Sequence, residues 1–290
     1  LMQLSESSRY VLSPMIAGVL MSWFNLESVL LVDCATFVVA IVTVFWIKSA
    51  VTKKANEQPA ASFREDLVDG FRYTVQHRPL MVLLCVISFV TFFVGLLQAL
   101  LGPMVLVNHS AKAFGFSLSI AATGMLLTSL LIGLFSKTTR KVPILSVGLL
   151  LSGIFYALIG VSPSIMIITA FTFCFFLCLP FVNTSLDVLV RRNVDHQMQG
   201  RVWSIVSLIS QMGMLIAFAI AGFMADHLFN PLLLKQGALS HSVGALIGVG
   251  PGRGIGLIFI LSGLLNAVIA MVIARLKSLK TLDLPSSTAA

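Results

Sequence analysis

The 290-residue chain is 58% hydrophobic and only 10% charged, where a soluble domain carries about 25% charge. With a mean hydropathy of +1.00, that excludes a globular domain around one core and indicates a polytopic membrane protein. The net charge of +8 does not point to nucleic acid. Its basic residues stand in short clusters between apolar spans, where topology signals are found.

A bilayer core of about 30 Å takes about 20 apolar residues per helix. On that ruler the chain holds eight spans: Val11–Phe24, Ser28–Ile47, Leu80–Val107, Phe116–Phe135, Val142–Val161, Ile165–Val190, Val202–Met224 and Ile255–Ala274. The alternating segments of roughly ten residues that build a membrane β-barrel are absent from the sequence. The chain opens at Leu1 without a signal-peptide pattern, and its first span is short, so it reads as lacking helices at its N-terminus. Cys34, Cys85, Cys174 and Cys178 all fall within spans. They act there as small hydrophobes, and Cys174-x3-Cys178 lacks the further ligands of a metal site.

In chain order, the connection from Lys48 to Pro79 is the longest that reads as cytoplasmic. Its first half is polar linker, and Ser62-Phe63-Arg64-Glu65 then forms a capping box. Phe63, Leu67, Phe71 and Val75 give the following helix one apolar face. Two placements stay open for it: along the membrane surface, or against the cytoplasmic ends of the spans. Gly95 and Gly102-Pro103 interrupt the overlong third span, and Pro180 lies inside the sixth. Such interruptions mark either a substrate path or a packing kink. The glycine-rich GVGPGRGIG ending at Gly256 lacks the Lys-Ser/Thr of a phosphate loop and follows no strand, so it reads as a flexible outer loop.

Charge sets the orientation. With the linker in the cytoplasm, that side holds Lys48, Lys53, Lys54, Arg64, Arg72, Arg78, Lys137, Arg140, Lys141, Arg191, Arg192, Arg201, Arg275, Lys277 and Lys280. The other side holds Lys112, Lys235 and Arg253. So one-sided a distribution orients a membrane protein. Ala17-Gly18 in the first span also aligns with Ala221-Gly222 in the seventh, which predicts a repeating unit of six helices.

Six-helix repeats joined by a long basic loop resemble the major facilitator superfamily, and the eight spans then correspond to its helices five to twelve. The first span carries a register similar to the fifth-helix pattern of drug–proton antiporters, G-x-x-x-G-P-x-x-G-G. Here it reads Arg9, Ser13, Pro14, Ala17 and Gly18, with Arg9 departing from the first glycine. GLFSKTTRK after the fourth span keeps Gly133, Arg140 and Lys141 of a second motif, but Lys137 stands at its acidic position. Gln199-Gly200-Arg201, with Ala221-Gly222 and Ala225-Asp226 closing the helix that follows, resembles the branch of macrolide efflux proteins and the enterobactin exporter. The resemblance implies an all-α polytopic protein. Residues 1–47 would be the last two helices of an N-terminal bundle, 48–79 a cytoplasmic linker, 80–274 a six-helix bundle and 275–290 a tail.

Polar groups within a bilayer are costly, and each is a candidate for function. Ser88, Thr91, Gly95 and Gln98 recur at helical spacing on the third span, Ser204, Ser207 and Gln211 on the seventh, and Asn183 and Asp187 share a face of the sixth. By the resemblance, the third and sixth spans line a central cavity, so Ser88, Thr91, Gln98, Asn183, Ser207 and Gln211 are its expected lining. Asp33, Asp187, Arg191 and Arg201 are candidates for coupling or gating, and the spacing of Asp187 and Arg191 suits a local ion pair.

The expected activity is secondary active export of an amphipathic small molecule by alternating access, coupled to protons or sodium ions. It involves no covalent step, cofactor, metal or nucleic acid, and its expected place is a bacterial plasma (inner) membrane. A lipid or lysolipid translocator, or the membrane subunit of an ATP-driven exporter, are the alternatives.

Overall fold

The computed structural model describes residues 26–51, 63–132, 140–234, 237–276, 279 and 283. They form helices and connecting turns, with no strand among the described residues. The first span, the linker at Lys53-Lys54, the Ser62 cap, Gly133, Lys137 and Lys235 lie outside them, as does the Arg9, Ser13, Pro14, Ala17, Gly18 register.

The helices are α1 (Leu26–Val51), α2 (Phe63–Gln76), α3 (Arg78–Leu106), α4 (Ala111–Leu131), α5 (Lys141–Ile159), α6 (Ile165–Asn193), α7 (Gln199–Leu232), α8 (Val243–Ile247) and α9 (Arg253–Arg275). Among the described residues, six helices are long and apolar enough to cross a membrane: α3 to α7 and α9. In α1 an apolar stretch Leu30–Trp46 matches the second predicted span, and every residue of it is exposed. The chain is an all-α, multi-pass membrane protein.

Local chemistry explains where the helix ends depart from the hydropathy. The fourth span starts at Ala111 rather than Phe116, because the Ser110 hydroxyl caps it, accepting from the Ala113 N–H at 3.3 Å. The seventh continues past Met224 and Asp226 to Leu232. Residues Met224–Phe229 widen into a π-helix, where the Asn230 N–H reaches back to the Ala225 carbonyl. That wider turn lets the helix carry on to Pro231, which sits in the first turn of a closing segment and needs no N–H partner there. Neither Pro103 nor Pro180 breaks its helix. Beside Pro180, Thr128 of α4 donates its hydroxyl to the Leu177 carbonyl at 2.9 Å, the kind of donor from a neighbouring helix that makes an intramembrane proline tolerable.

Helices approach at backbone distance through small residues, as lipid-embedded packing favours, and α4 meets α6 in this way at Gly124, where a Cβ would lie 2.6 Å from the Phe173 carbonyl oxygen. α5 and α9 meet through Gly153, Ala157 and Gly160 against Gly256, Gly263 and Ala267; a Cβ on Gly153 would lie 2.7 Å from the Ala267 nitrogen. α3 and α7 meet at Gly95, where a Cβ would lie 2.8 Å from that of Ala217, and at Gly213, where it would lie 2.8 Å from the Ser88 carbonyl oxygen. α6 packs between α5 and α4. Tyr156 of α5 ties four helices together. Its hydroxyl donates to the Phe93 carbonyl of α3 at 3.0 Å, and its ring meets Phe93, Phe175 of α6 and Phe259 of α9 edge-on at centroid distances of 6.1, 5.4 and 5.2 Å.

The two ends of the bundle differ in charge. Arg78, Lys141, Arg191, Arg192, Arg201 and Arg275 share one end, set there by alternate crossings. Asp283 returns from beyond α9 to the same end, accepting from the Lys141 N–H at 2.7 Å and the Val142 N–H at 3.1 Å, so a carboxylate sits at the positive end of the α5 dipole. At the other end, Arg253 is buried and donates to the Gly160 and Val161 carbonyls at 2.8 and 3.1 Å, closing the negative end of the same helix. The loop before it is an ordered turn rather than a loose glycine run. Gly248, Gly250 and Gly252 have φ of +92°, +133° and +78°, values open to glycine at no steric cost.

The amphipathic helix α2 packs on α7, and among its described side chains Phe71 and Val75 of the periodic face do not make the contact. Gly70 and Thr74 are buried there, while Phe71 and Val75 stay exposed. The physical reason is space. A Cβ on Gly70 would lie 2.7 Å from the Arg201 carbonyl oxygen, so only the glycine edge can seat against the start of α7.

Candidate functional site: an open polar cavity between α3, α6 and α7

A cavity of about 420 Å³ opens in the half of the bundle nearer the basic end. α3 contributes Ile87, Val90 and Thr91; α6 contributes Asn183, Leu186 and Asp187; α7 contributes Trp203, Val206, Ser207, Ser210 and Gln211. Helical spacing produces this convergence. Asn183 and Asp187 stand one turn apart on α6, and Trp203, Ser207 and Gln211 follow every fourth residue along α7. Asp187, Ser207 and Gln211 are exposed to the cavity's open side. A polar wall within helices this apolar is a place where water and a polar ligand group are both accommodated.

Of the expected lining residues, Thr91, Asn183, Ser207 and Gln211 come together here and are joined by Asp187. Ser88 and Gln98 lie outside it. Ser88 sits in the α3–α7 contact opposite Gly213, and Gln98 is exposed ten residues further along α3. Thr91 directs its hydroxyl to the Ile87 and Ser88 carbonyls, 3.0 Å each, so its methyl and oxygen form the wall without a fixed cross-helix bond. Asp33 is exposed on α1, away from the cavity, where its carbonyl accepts from the Thr36 hydroxyl.

The basic end of the cavity is fastened from outside. Arg201 meets Asp69 of α2 at 3.1 Å, and the Tyr73 hydroxyl of α2 donates to Asp195 in the α6–α7 turn at 3.3 Å. Burial raises the Tyr73 phenol above its ordinary range. Arg191, one turn beyond Asp187, lays its guanidinium over the Trp203 ring at 5.5 Å from the centroid, and its charge also acts on Asp187.

Trp203 and Ser210, with the aliphatic Ile87, Val90, Leu186 and Val206, line the cavity without having been expected there. Trp203 is apolar by composition, but it stands four residues before Ser207 and eight before Gln211, a spacing that places it on their stripe. No group of three or more metal-ligating side chains occurs among the described residues.

The chain is similar to two macrolide efflux proteins A. It is 23% identical to that of Streptococcus pyogenes over 283 residues, covering 96% of this chain and 64% of the relative. It is 24% identical to that of Enterococcus faecalis over 213 residues, 72% of this chain and 66% of the relative. An uncharacterised MFS-type transporter, YfiS of Bacillus subtilis, is 24% identical over 261 residues, 84% of this chain and 61% of the relative. The chain is thus similar to proteins named macrolide efflux protein and MFS-type transporter. It spans a little under two thirds of the length of these relatives. No family model matches it, and no solved structure does. An open cavity inside the helix bundle, with hydroxyls and amides on its wall, is the feature that bears on function.

Proposed function

We propose that this chain is part of a secondary active transporter of a bacterial plasma membrane, exporting small amphipathic molecules by alternating access in exchange for protons or sodium ions. The observation that carries the reading is the cavity, where Thr91, Asn183, Ser207 and Gln211 face one open space between α3, α6 and α7. Its mixture of hydroxyls, amides and aliphatic walls suits a ligand with both apolar and polar parts. The names of the relatives, macrolide efflux protein and MFS-type transporter, support export of a drug-like molecule. The Pro14/Gly18 register of the first span supports exchange against an ion.

Cells making the protein should accumulate less of an amphipathic dye, and collapsing the proton and sodium gradients should abolish the difference. Export that survives that collapse but stops on ATP depletion would overturn the mechanism. Asn183→Ala and Gln211→Ala test the cavity itself. Both should alter preference between two unlike substrates while the melting temperature holds. A uniform loss of transport that tracks a loss of stability would assign the two residues to packing instead, where such bonds contribute about 0.6 kcal/mol each.

A further inference from the structure

Behind the open cavity, where α3, α5, α6 and α9 meet, lies a second and much smaller one of about 10 Å³. We propose that it is a binding site for a single water molecule, held by Asn266 and Ser152 and reached from the open cavity past Val90.

The amide of Asn266 carries the assignment. It stands near the middle of α9 and is only 6% exposed. Among the described residues its one hydrogen bond goes to the Ser152 hydroxyl at 3.4 Å. An amide offers two N–H donors and an oxygen with two lone pairs, so whichever way it is turned most of its capacity is unmet. In an apolar bundle a polar group in that state is costly, and the bilayer holds no bulk water to relieve it. Ser152, also buried, donates its hydroxyl to the Leu149 carbonyl at 2.9 Å. Its oxygen therefore accepts from the amide and keeps a lone pair.

The small cavity lies where that capacity is unmet, since Asn266 and Ser152 both line it. Room of about 10–15 Å³ admits one water, which needs roughly two to four polar partners. A water here bridges the Ser152 oxygen and the free positions of the amide. The rest of the wall is apolar, with Phe93, Leu149 and Phe175 among it. A pocket apolar throughout stays dry. The amide makes water the occupant, and the volume excludes anything larger.

Val90 marks the way in. Among the described residues it alone lines both cavities, so one valine side chain separates them at that point. Side chains in packed cores hop between rotamers, and such a hop at Val90 lets water pass without moving a helix. The site stands whether or not the open cavity carries a ligand.

Hydroxyl-radical footprinting with short X-ray pulses tests the site, because radicals formed from a bound water oxidise the side chains beside it. In the purified full chain in detergent, Phe93 and Phe175 should be oxidised several-fold faster than Phe259, which is also buried but lies outside the pocket wall. Asn266→Leu should bring both rings down to the Phe259 rate, and Ser152→Ala should lower them part of the way. When the pulse follows rapid mixing with water labelled with heavy oxygen, Val90→Ala should take up label several-fold sooner than the unmodified protein. Leu149→Val, which loosens the pocket on its α5 side, should not.

Equal oxidation of Phe93, Phe175 and Phe259 in the unmodified protein would overturn the site, and that comparison needs no variant to fold. Fast oxidation that persists in Asn266→Leu would overturn the role of the amide. Label uptake that Val90→Ala and Leu149→Val quicken alike, or that neither changes, would overturn the route past Val90.

Discussion

At the scale of the residue, Tyr156 shows how magnitude separates two roles of one side chain. Its ring fills the space where α3, α5, α6 and α9 meet, and its hydroxyl adds one bond to a carbonyl. A side-chain hydrogen bond between membrane helices contributes about 0.6 kcal/mol, whereas deleting a buried aromatic ring costs about 3–5 kcal/mol. Tyr156→Phe should therefore leave the melting temperature of the purified protein nearly unchanged, and Tyr156→Ala should lower it sharply. The same comparison would come out reversed if the hydroxyl, not the ring, held the four helices together. The pattern of this residue in the sequence, a lone tyrosine in an apolar span, shows that it is amphipathic; that four helices converge on it is visible only in the fold.

At the scale of the element, glycine decides which helices touch. A Cβ on Gly160 would overlap the Gly256 carbonyl oxygen, whereas one on Gly115 would meet nothing within 4 Å. Gly160→Ala should force α5 and α9 apart and cost about 1–3 kcal/mol, as overpacking does. Gly115→Ala should be neutral or slightly stabilising through the better helix propensity of alanine, and thermal unfolding of the two variants side by side checks the contrast. The docking of α2 obeys the same rule. The Arg201–Asp69 pair is half-exposed, and such pairs contribute about 0–1 kcal/mol. The Gly70 seat admits no side chain at all. Amide exchange across residues 68–76 should accordingly quicken strongly in Gly70→Leu and little in Asp69→Asn; the opposite order would make the ion pair the anchor.

At the scale of the whole molecule, the gathering of arginine and lysine at one end of the bundle predicts its orientation. Arg192 at the end of α6 should face the cytoplasm, and Lys112 at the start of α4 should face outward. With the native cysteines removed, an impermeant thiol reagent added to sealed cells should label a cysteine at 112 and spare one at 192. Labelling of 192 alone would invert the topology and place the cavity mouth on the outer side. Orientation and cavity are linked through α2. That helix fastens the basic end of α7 at Arg201, two residues before Trp203 enters the cavity wall.

Composition and hydropathy by themselves determined the class of this protein and the positions of its described spans, closely for α3, α5, α6 and α9 and less so for α4 and for the end of α7. The reason is that bilayer thickness sets the length of an apolar run, and water sets the charges at its ends. The polar stripes of α6 and α7 were legible for the same reason: an amide or carboxylate in an apolar helix has few affordable places to face. Which face of each helix meets which neighbour was decided by the tertiary structure alone. Lipid and protein interior are both apolar, so a membrane helix carries little of the amphipathic signal that tells inside from outside in water. Small residues mark a close helix contact as readily as a cavity wall, which is why Ser88 and Gly95 went to the α3–α7 contact while Thr91 reached the cavity. Trp203 was hidden among the apolar residues for the converse reason, since only the tertiary structure sets it in the wall across from α6 and brings the guanidinium of Arg191 onto its ring.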